Sequence, residues 1–181
     1  MVYYLLMTYV QLQRMVKTEV FTILDVLKLF PNQSEQLARV QLSRFFKRGL
    51  VVNLKRGLYC FADQKIDPFI VANQLYTPSY ISLETALNYH GVIPDVPLAG
   101  ITSISPVTTR KFVTPIGTYY YQKVSPKLFW GYSERPFKIA FAEKALLDYE
   151  YFYGRKSLSS LRVDWTKVDR KKYTEFRKYY D

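Results

Sequence analysis

Between residues 36 and 61 the chain reads QLARVQLSRFFKRGLVVNLKRGLYCF. Six basic side chains (Arg39, Arg44, Lys47, Arg48, Lys55, Arg56) stand there without a single carboxylate. Guanidinium and ammonium groups free of competing acids suit phosphate oxygens, and the interleaved amide and hydroxyl groups of Gln36 and Ser43 suit base edges. Placed at about 100° per residue on a helix, Ala38, Leu42, Phe45 and Gly49 fall on one side, flanked by Leu37 and Phe46. Gln36, Val40, Ser43 and Lys47 fall opposite, with Gln33 and Arg44 beside them and Arg39 and Arg48 at the edges. We therefore expect base contacts from Gln36, Ser43 and Arg44, and phosphate contacts from Arg39, Lys47, Arg48, Lys55 and Arg56. The alternative is a helix and hairpin of this kind used for protein contact only.

A second set with chemical potential is Thr108-Thr109-Arg110-Lys111, whose hydroxyls and cations could hold phosphate or could be the exposed face of a strand. Glu143 and Lys144 begin an AEKALLD helix, with Asp148 further along it. Glu143 and Lys144 are expected to form either a buried polar network with Arg110 or a substrate site. His90, the single histidine, stands before Gly91 and reads as a structural contact at a helix end. No serine or cysteine has a partner at triad spacing, and the seven glycines are scattered at turns rather than gathered in a phosphate-cradling loop. One cysteine, Cys60, allows neither an intrachain disulfide nor, with one histidine, a zinc site. No metal, cofactor or enzymatic activity is expected, and a reducing cytoplasm fits.

The elements that must position these groups follow from local signals. Residues 4–19 read as an apolar helix too short to span a bilayer, suited to packing or to a homodimer contact. Thr22 with Asp25 three residues on reads as a helix start, with Phe21, Leu24, Leu27 and Phe30 as its apolar stripe. A second helix is expected over residues 34–48, capped by Asn32 or Ser34 and ended by Gly49. Two apolar strands around Lys55-Arg56-Gly57 follow. Together these make a winged helix-turn-helix over residues 1–62. Residues 63–181 read as a mixed α/β domain with a small antiparallel sheet. It has helices opened by Asp67-Pro68 and by Ser82, strands over residues 101–124, and a basic helical tail. The fold class is α+β.

Of the formal net charge of +11, residues 1–62 carry +6, residues 63–154 carry none and residues 155–181 carry +5. Two cationic ends around a neutral middle suit nucleic acid, although a lysine-rich tail can also be a solvated helix face. The 17 tyrosines point to half-wet contact surfaces or simply to AT-rich codon usage.

Three segments carry a family likeness: YISLETALNYHGVIP (80–94), TSISPVTTRKFVTPIGTYYYQKV (102–124) and AFAEKALLDYEYFY (140–153). Together with Arg56-Gly57-Leu58-Tyr59 at the end of the hairpin, they resemble the AbiEi family, the antitoxin and transcriptional-regulator halves of bacterial type IV toxin–antitoxin systems. Ala142 stands where the family has proline, and the chain is shorter than full-length members. The resemblance implies a winged helix that binds double-stranded DNA at its own operon promoter and represses it. It also implies an antitoxin part that opposes a nucleotidyltransferase-like toxin without a stable complex, the alternative in a chain this short being a reduced or absent antitoxin part. The alternative is an RNA- or protein-binding adaptor that uses Tyr119, Tyr120, Tyr121 and the basic tail.

Overall fold

The computed structural model describes residues 6–180, which divide into two compact units. The first unit runs up to Val71 and includes Thr114–Ile116; the second holds Ala72–Val113 and the chain from Gly117 onward.

In the first unit, Thr8 and Gln11 form a reciprocal cap that starts helix α1 (Tyr9–Met15). Residues 4 and 5 of the expected first helix lie outside the described residues. Strand β1 (Phe21–Thr22) passes straight into α2 (Ile23–Leu29). At that junction the Thr22 amide donates to Asp25 Oδ2 at 2.8 Å and the Asp25 amide donates to Thr22 Oγ1 at 3.2 Å. The expected stripe of α2 is shifted: Leu24 is 62% exposed, and Ile23 and Val26 face the core instead. Phe21 is buried, but as a strand residue before the cap, so the helical count begins later than the apolar spacing suggests.

Helix α3 (Glu35–Lys47) is capped by Ser34, not Asn32. At its other end Gly49 adopts φ +68°. The Gly49 amide donates to the Phe46 carbonyl and the Leu50 amide to the Phe45 carbonyl, a pairing that closes the helix with a left-handed residue. The chain then makes β2 (Val51–Lys55) and β3 (Leu58–Phe61), joined through Arg56 and Gly57, the latter at φ +81°. The three strands form an antiparallel sheet in the order β1-β3-β2. Leu12, Phe21, Val26, Ala38, Leu42, Phe45 and Phe61 fill the core between helices and sheet.

The second unit is built on a six-stranded sheet, larger than the sequence suggests and mixed rather than antiparallel. Helix α4 (Pro68–Leu75), whose residues from Ala72 onward belong to this unit, leads into β4 (Tyr80–Ile81) and α5 (Leu83–Tyr89). Strands β5 (Ile101–Ser105), β6 (Arg110–Thr114) and β7 (Gly117–Lys123) follow, then β8 (Tyr132–Ser133) and β9 (Ile139–Ala140). The order is β6-β7-β5-β4-β9-β8. β5 pairs with β7 in parallel, as does β4 with β9, whereas β4–β5 and β8–β9 are antiparallel. The sequence announces the local β6–β7 turn but carries no mark of the non-local parallel pairs. Helix α6 (Ala142–Tyr153) packs on α5 and on α7 (Arg170–Arg177), with 3-10 turns over Arg155–Leu161 and Trp165–Lys167 between them. The basic tail is thus docked on α6.

Candidate functional site

The outward face of α3 emerges as the angular placement requires. Gln36, Arg39, Val40, Ser43, Arg44 and Lys47 are exposed, and Ala38, Leu42 and Phe45 are buried. Arg48 is exposed at the C-cap, where a cation faces the negative end of the helix dipole. Arg56 is exposed at the turn of the hairpin, while Lys55 is half-buried, and that burial lowers the pKa of its ammonium. Two details of the cations lay outside the sequence pattern. Arg39 Nε donates to Glu35 Oε1 at 2.8 Å, an exposed i,i+4 pair with the one acid just outside the basic stretch. Such a pair contributes about 1 kcal/mol or less, so a phosphate can displace it. Arg44 donates to Gln41 Oε1 at 3.3 Å, and buried Gln41 donates from Nε2 to the Met7 carbonyl at 3.3 Å. Gln41 therefore holds the Arg44 side chain from beneath, a role that its place on the helical wheel conceals.

In the second unit, Thr108 is half-buried and Thr109 Oγ1 accepts from the Lys123 amide at 3.2 Å. That hydroxyl ties the loop before β6 to β7. Arg110 and Lys111 are exposed on β6, an end strand of the sheet, and the Lys111 ammonium lies 5.2 Å from the Tyr120 ring centre. Charges on an edge strand discourage pairing with another chain, so the four residues form a strand face and its lead-in. Tyr119 and Tyr121 point inward, buried, with Tyr121 donating to the Ala72 carbonyl at 2.6 Å. Only Tyr120 of the three is on the open side, so the hairpin offers one ring for stacking.

The expected network of Glu143, Lys144 and Arg110 does not form. Glu143 accepts instead from the Asp169 amide at 2.9 Å and pairs with Lys172 at 3.4 Å, which fixes the start of α7. Lys144 turns to Asp148, one turn along α6, and both side chains are fully buried. The Lys144 ammonium also donates to Tyr80 Oη at 2.8 Å and Tyr180 Oη at 2.5 Å. Asp148 further accepts from Tyr180 at 2.6 Å, Tyr80 at 3.0 Å and Ser82 at 2.7 Å. Ser82, expected as a helix cap, makes no capping bond because its hydroxyl is spent on Asp148. The next residue, Leu83, is fully buried at φ +56°. A side chain persists in that left-handed region only where its surroundings fix it. Just before it, Tyr80 on β4 and Ser82, the residue that follows the strand, both reach the Asp148 carboxylate.

Burial lowers the Lys144 pKa, with Asp148 opposing, and raises the phenol pKa of Tyr80 and Tyr180, to which the nearby Asp148 carboxylate adds. An ammonium, a carboxylate, two phenols and a serine hydroxyl can exchange protons. Here their hydrogen bonds are made among themselves, and the cluster clamps β4, α6 and the tail together. Of its members, the sequence marks Lys144 and Asp148 by their charge on one helix and Ser82 as a cap, while nothing in it aims the hydroxyls of Tyr80 and Tyr180 at them. His90 Nε2–H donates to the Ala140 carbonyl of β9 at 2.8 Å, a contact to the sheet and not the helix-end contact expected. Among the described residues no group of three or more His, Cys, Asp or Glu could hold a metal ion, and no helix is long and apolar enough to cross a membrane.

No protein-family model matches the chain, and no curated protein sequence does. Among solved structures, the chain is similar to the crystal structure of the Rv2827c protein from Mycobacterium tuberculosis. The match has a TM-score of 0.57 and 14% identity, and it covers 93% of this chain and 69% of that one. At that identity the likeness speaks to fold alone: a mixed α+β arrangement.

Proposed function

We propose that the first unit is a winged helix-turn-helix that binds duplex DNA, with α3 as recognition helix and the β2–β3 hairpin as wing. The observation that carries this reading is the exposed face of α3, where Gln36, Ser43, Arg44 and Lys47 stand without a carboxylate among them and a hairpin with Arg56 at its turn follows directly. Helices of this kind place polar side chains on base edges and flanking cations on the backbone. The likeness of the sequence to AbiEi proteins extends the proposal. The chain represses its own operon as the regulator of a type IV toxin–antitoxin pair and opposes a nucleotidyltransferase-like toxin without holding it in a stable complex.

Mobility shifts on the DNA upstream of its own gene test the first part. Binding should exceed that to random duplex, and about five neutralised phosphates should give a log–log salt slope of about −4 to −5. Arg44→Ala should weaken binding by about 1–3 kcal/mol and relax base preference, whereas Lys47→Ala should weaken all sequences alike. Equal affinity for random and upstream DNA would remove the repressor reading. Co-expression with the neighbouring gene tests the second part; growth arrest unrelieved by this chain would remove the antitoxin reading.

A further inference from the structure

The 3-10 turn Arg155–Leu161 and helix α7 enclose a cleft of about 620 Å³ whose lining includes Arg155, Ser159, Trp165, Arg170, Tyr173 and Thr174. The volume is in the range of ordinary ligand sites. Two arginines belong to its lining, and no carboxylate does. The Tyr173 hydroxyl donates to Glu150, outside the cleft, and the Tyr173 ring stands edge-on to Trp165 at 5.7 Å. The Arg170 guanidinium lies 5.3 Å from the Trp165 ring centre. Ser159 and Thr174 donate their hydroxyl protons to the carbonyls of Lys156 and Arg170. The arginines are therefore the groups left to meet an anion.

Beyond Arg170 and Thr174 a second depression of about 680 Å³ continues along α7, lined by those two residues with Lys171, Glu175 and Lys178. Three cations, Arg170, Lys171 and Lys178, against one carboxylate, Glu175, thus line a track along α7 with a planar ring at its head. Phosphates in succession with an aromatic face beside them are what a single nucleic-acid strand presents. A duplex hides its base faces in the stack and cannot offer one to Trp165.

We propose that this track binds single-stranded nucleic acid. One unpaired base lies on Trp165, releasing Arg170 to a phosphate, while Arg155, Lys171 and Lys178 take neighbouring phosphates. The site belongs to the second unit and is independent of the duplex-binding proposal for α3.

Fluorescence anisotropy of labelled ten-nucleotide U and dT oligomers with the full chain tests it. Binding of either oligomer is expected, with a log–log salt slope of about −3 for four contacts on a single strand. The Arg155→Ser, Arg170→Ser double variant should lose about ten-fold or more, and Trp165→Leu a similar factor. Both arginines are exposed, so the double variant keeps the fold even if Trp165→Leu unsettles its turn. Duplex binding should be unchanged by these substitutions. Conversely, Arg44→Ser with Lys47→Ser should spare the oligomers. Failure of both oligomers to bind at low salt, or undiminished binding by the arginine double variant, overturns the proposal. Loss of oligomer binding in the α3 variant also overturns it, by assigning the strand to the first unit.

Discussion

At Lys144 two opposing effects meet: burial disfavours the ammonium, and Asp148 restores it. Removing one partner of a fully buried pair leaves an uncompensated charge, so Asp148→Asn should cost about 3–5 kcal/mol in urea unfolding. Lys144→Met combined with Asp148→Leu should recover part of that loss, because an apolar pair avoids desolvation altogether. A loss below about 1 kcal/mol in Asp148→Asn would mean that the cluster is not a clamp. Sequence spacing marks the i,i+4 relation of these two residues. It could not mark Tyr80 or Ser82, more than 60 residues earlier, because nothing local about a tyrosine or serine says that its hydroxyl ends inside the protein. Arg39 and Arg44 show the converse. Their placement on α3 is periodic and legible, yet their partners Glu35 and Gln41 depend on rotamers.

Elements start and stop where side chains satisfy the free backbone groups of helix ends, and these signals are short-range. Thr22 and Asp25 start α2, so Thr22→Ala should cost about 1 kcal/mol while Thr22→Ser stays nearly neutral, measured by urea midpoint. Ser82 occupies the same position before α5 but does not cap, because Asp148 competes for its hydroxyl. Local chemistry thus proposes a cap that a tertiary contact can overrule. The tail gives a second case. By composition α7 could be a solvated lysine-rich helix, yet Trp130 packs against Phe176 and Tyr179, and Tyr180 reaches Lys144 and Asp148. Tyr180→Phe should therefore cost about 1–3 kcal/mol, the penalty of an unmet buried partner. Hydrogen exchange should show α7 loosening first; unchanged protection there would detach the tail from the clamp.

For the molecule as a whole, stability should fall in alkali. Burial pushes the Cys60 thiol up to about 11 and, with its bond to Glu150, the Tyr173 phenol up to about 12, and raises Tyr80, Tyr121 and Tyr180 as well. A folded pKa above the unfolded one means that the native state keeps a proton the unfolded chain releases. The Cys60 and Tyr173 contributions are present below pH 9 and are lost as pH rises through about 11 to 12, and those of Tyr80, Tyr121 and Tyr180 are lost at still higher pH. Lys144 and Lys55 act in the opposite sense, since their lowered pKa values make their burial less costly as pH rises, but they are two groups against several. The melting temperature should decline steadily above pH 9; a flat profile to pH 11 would show that these groups are not sequestered.

The sequence by itself determined the ends of α3, the hairpin after it and the cations on its face, since caps, turns and a 3.6-residue period act over a few positions. Tertiary structure alone decided the parallel pairing of β5 with β7 and of β4 with β9, and the inward turn of Tyr119 and Tyr121. It also decided the meeting of Tyr80, Ser82, Lys144, Asp148 and Tyr180, and the cleft at Trp165. Each of these joins residues distant in the chain, and their partners are selected by which buried polar groups and apolar faces can be satisfied together.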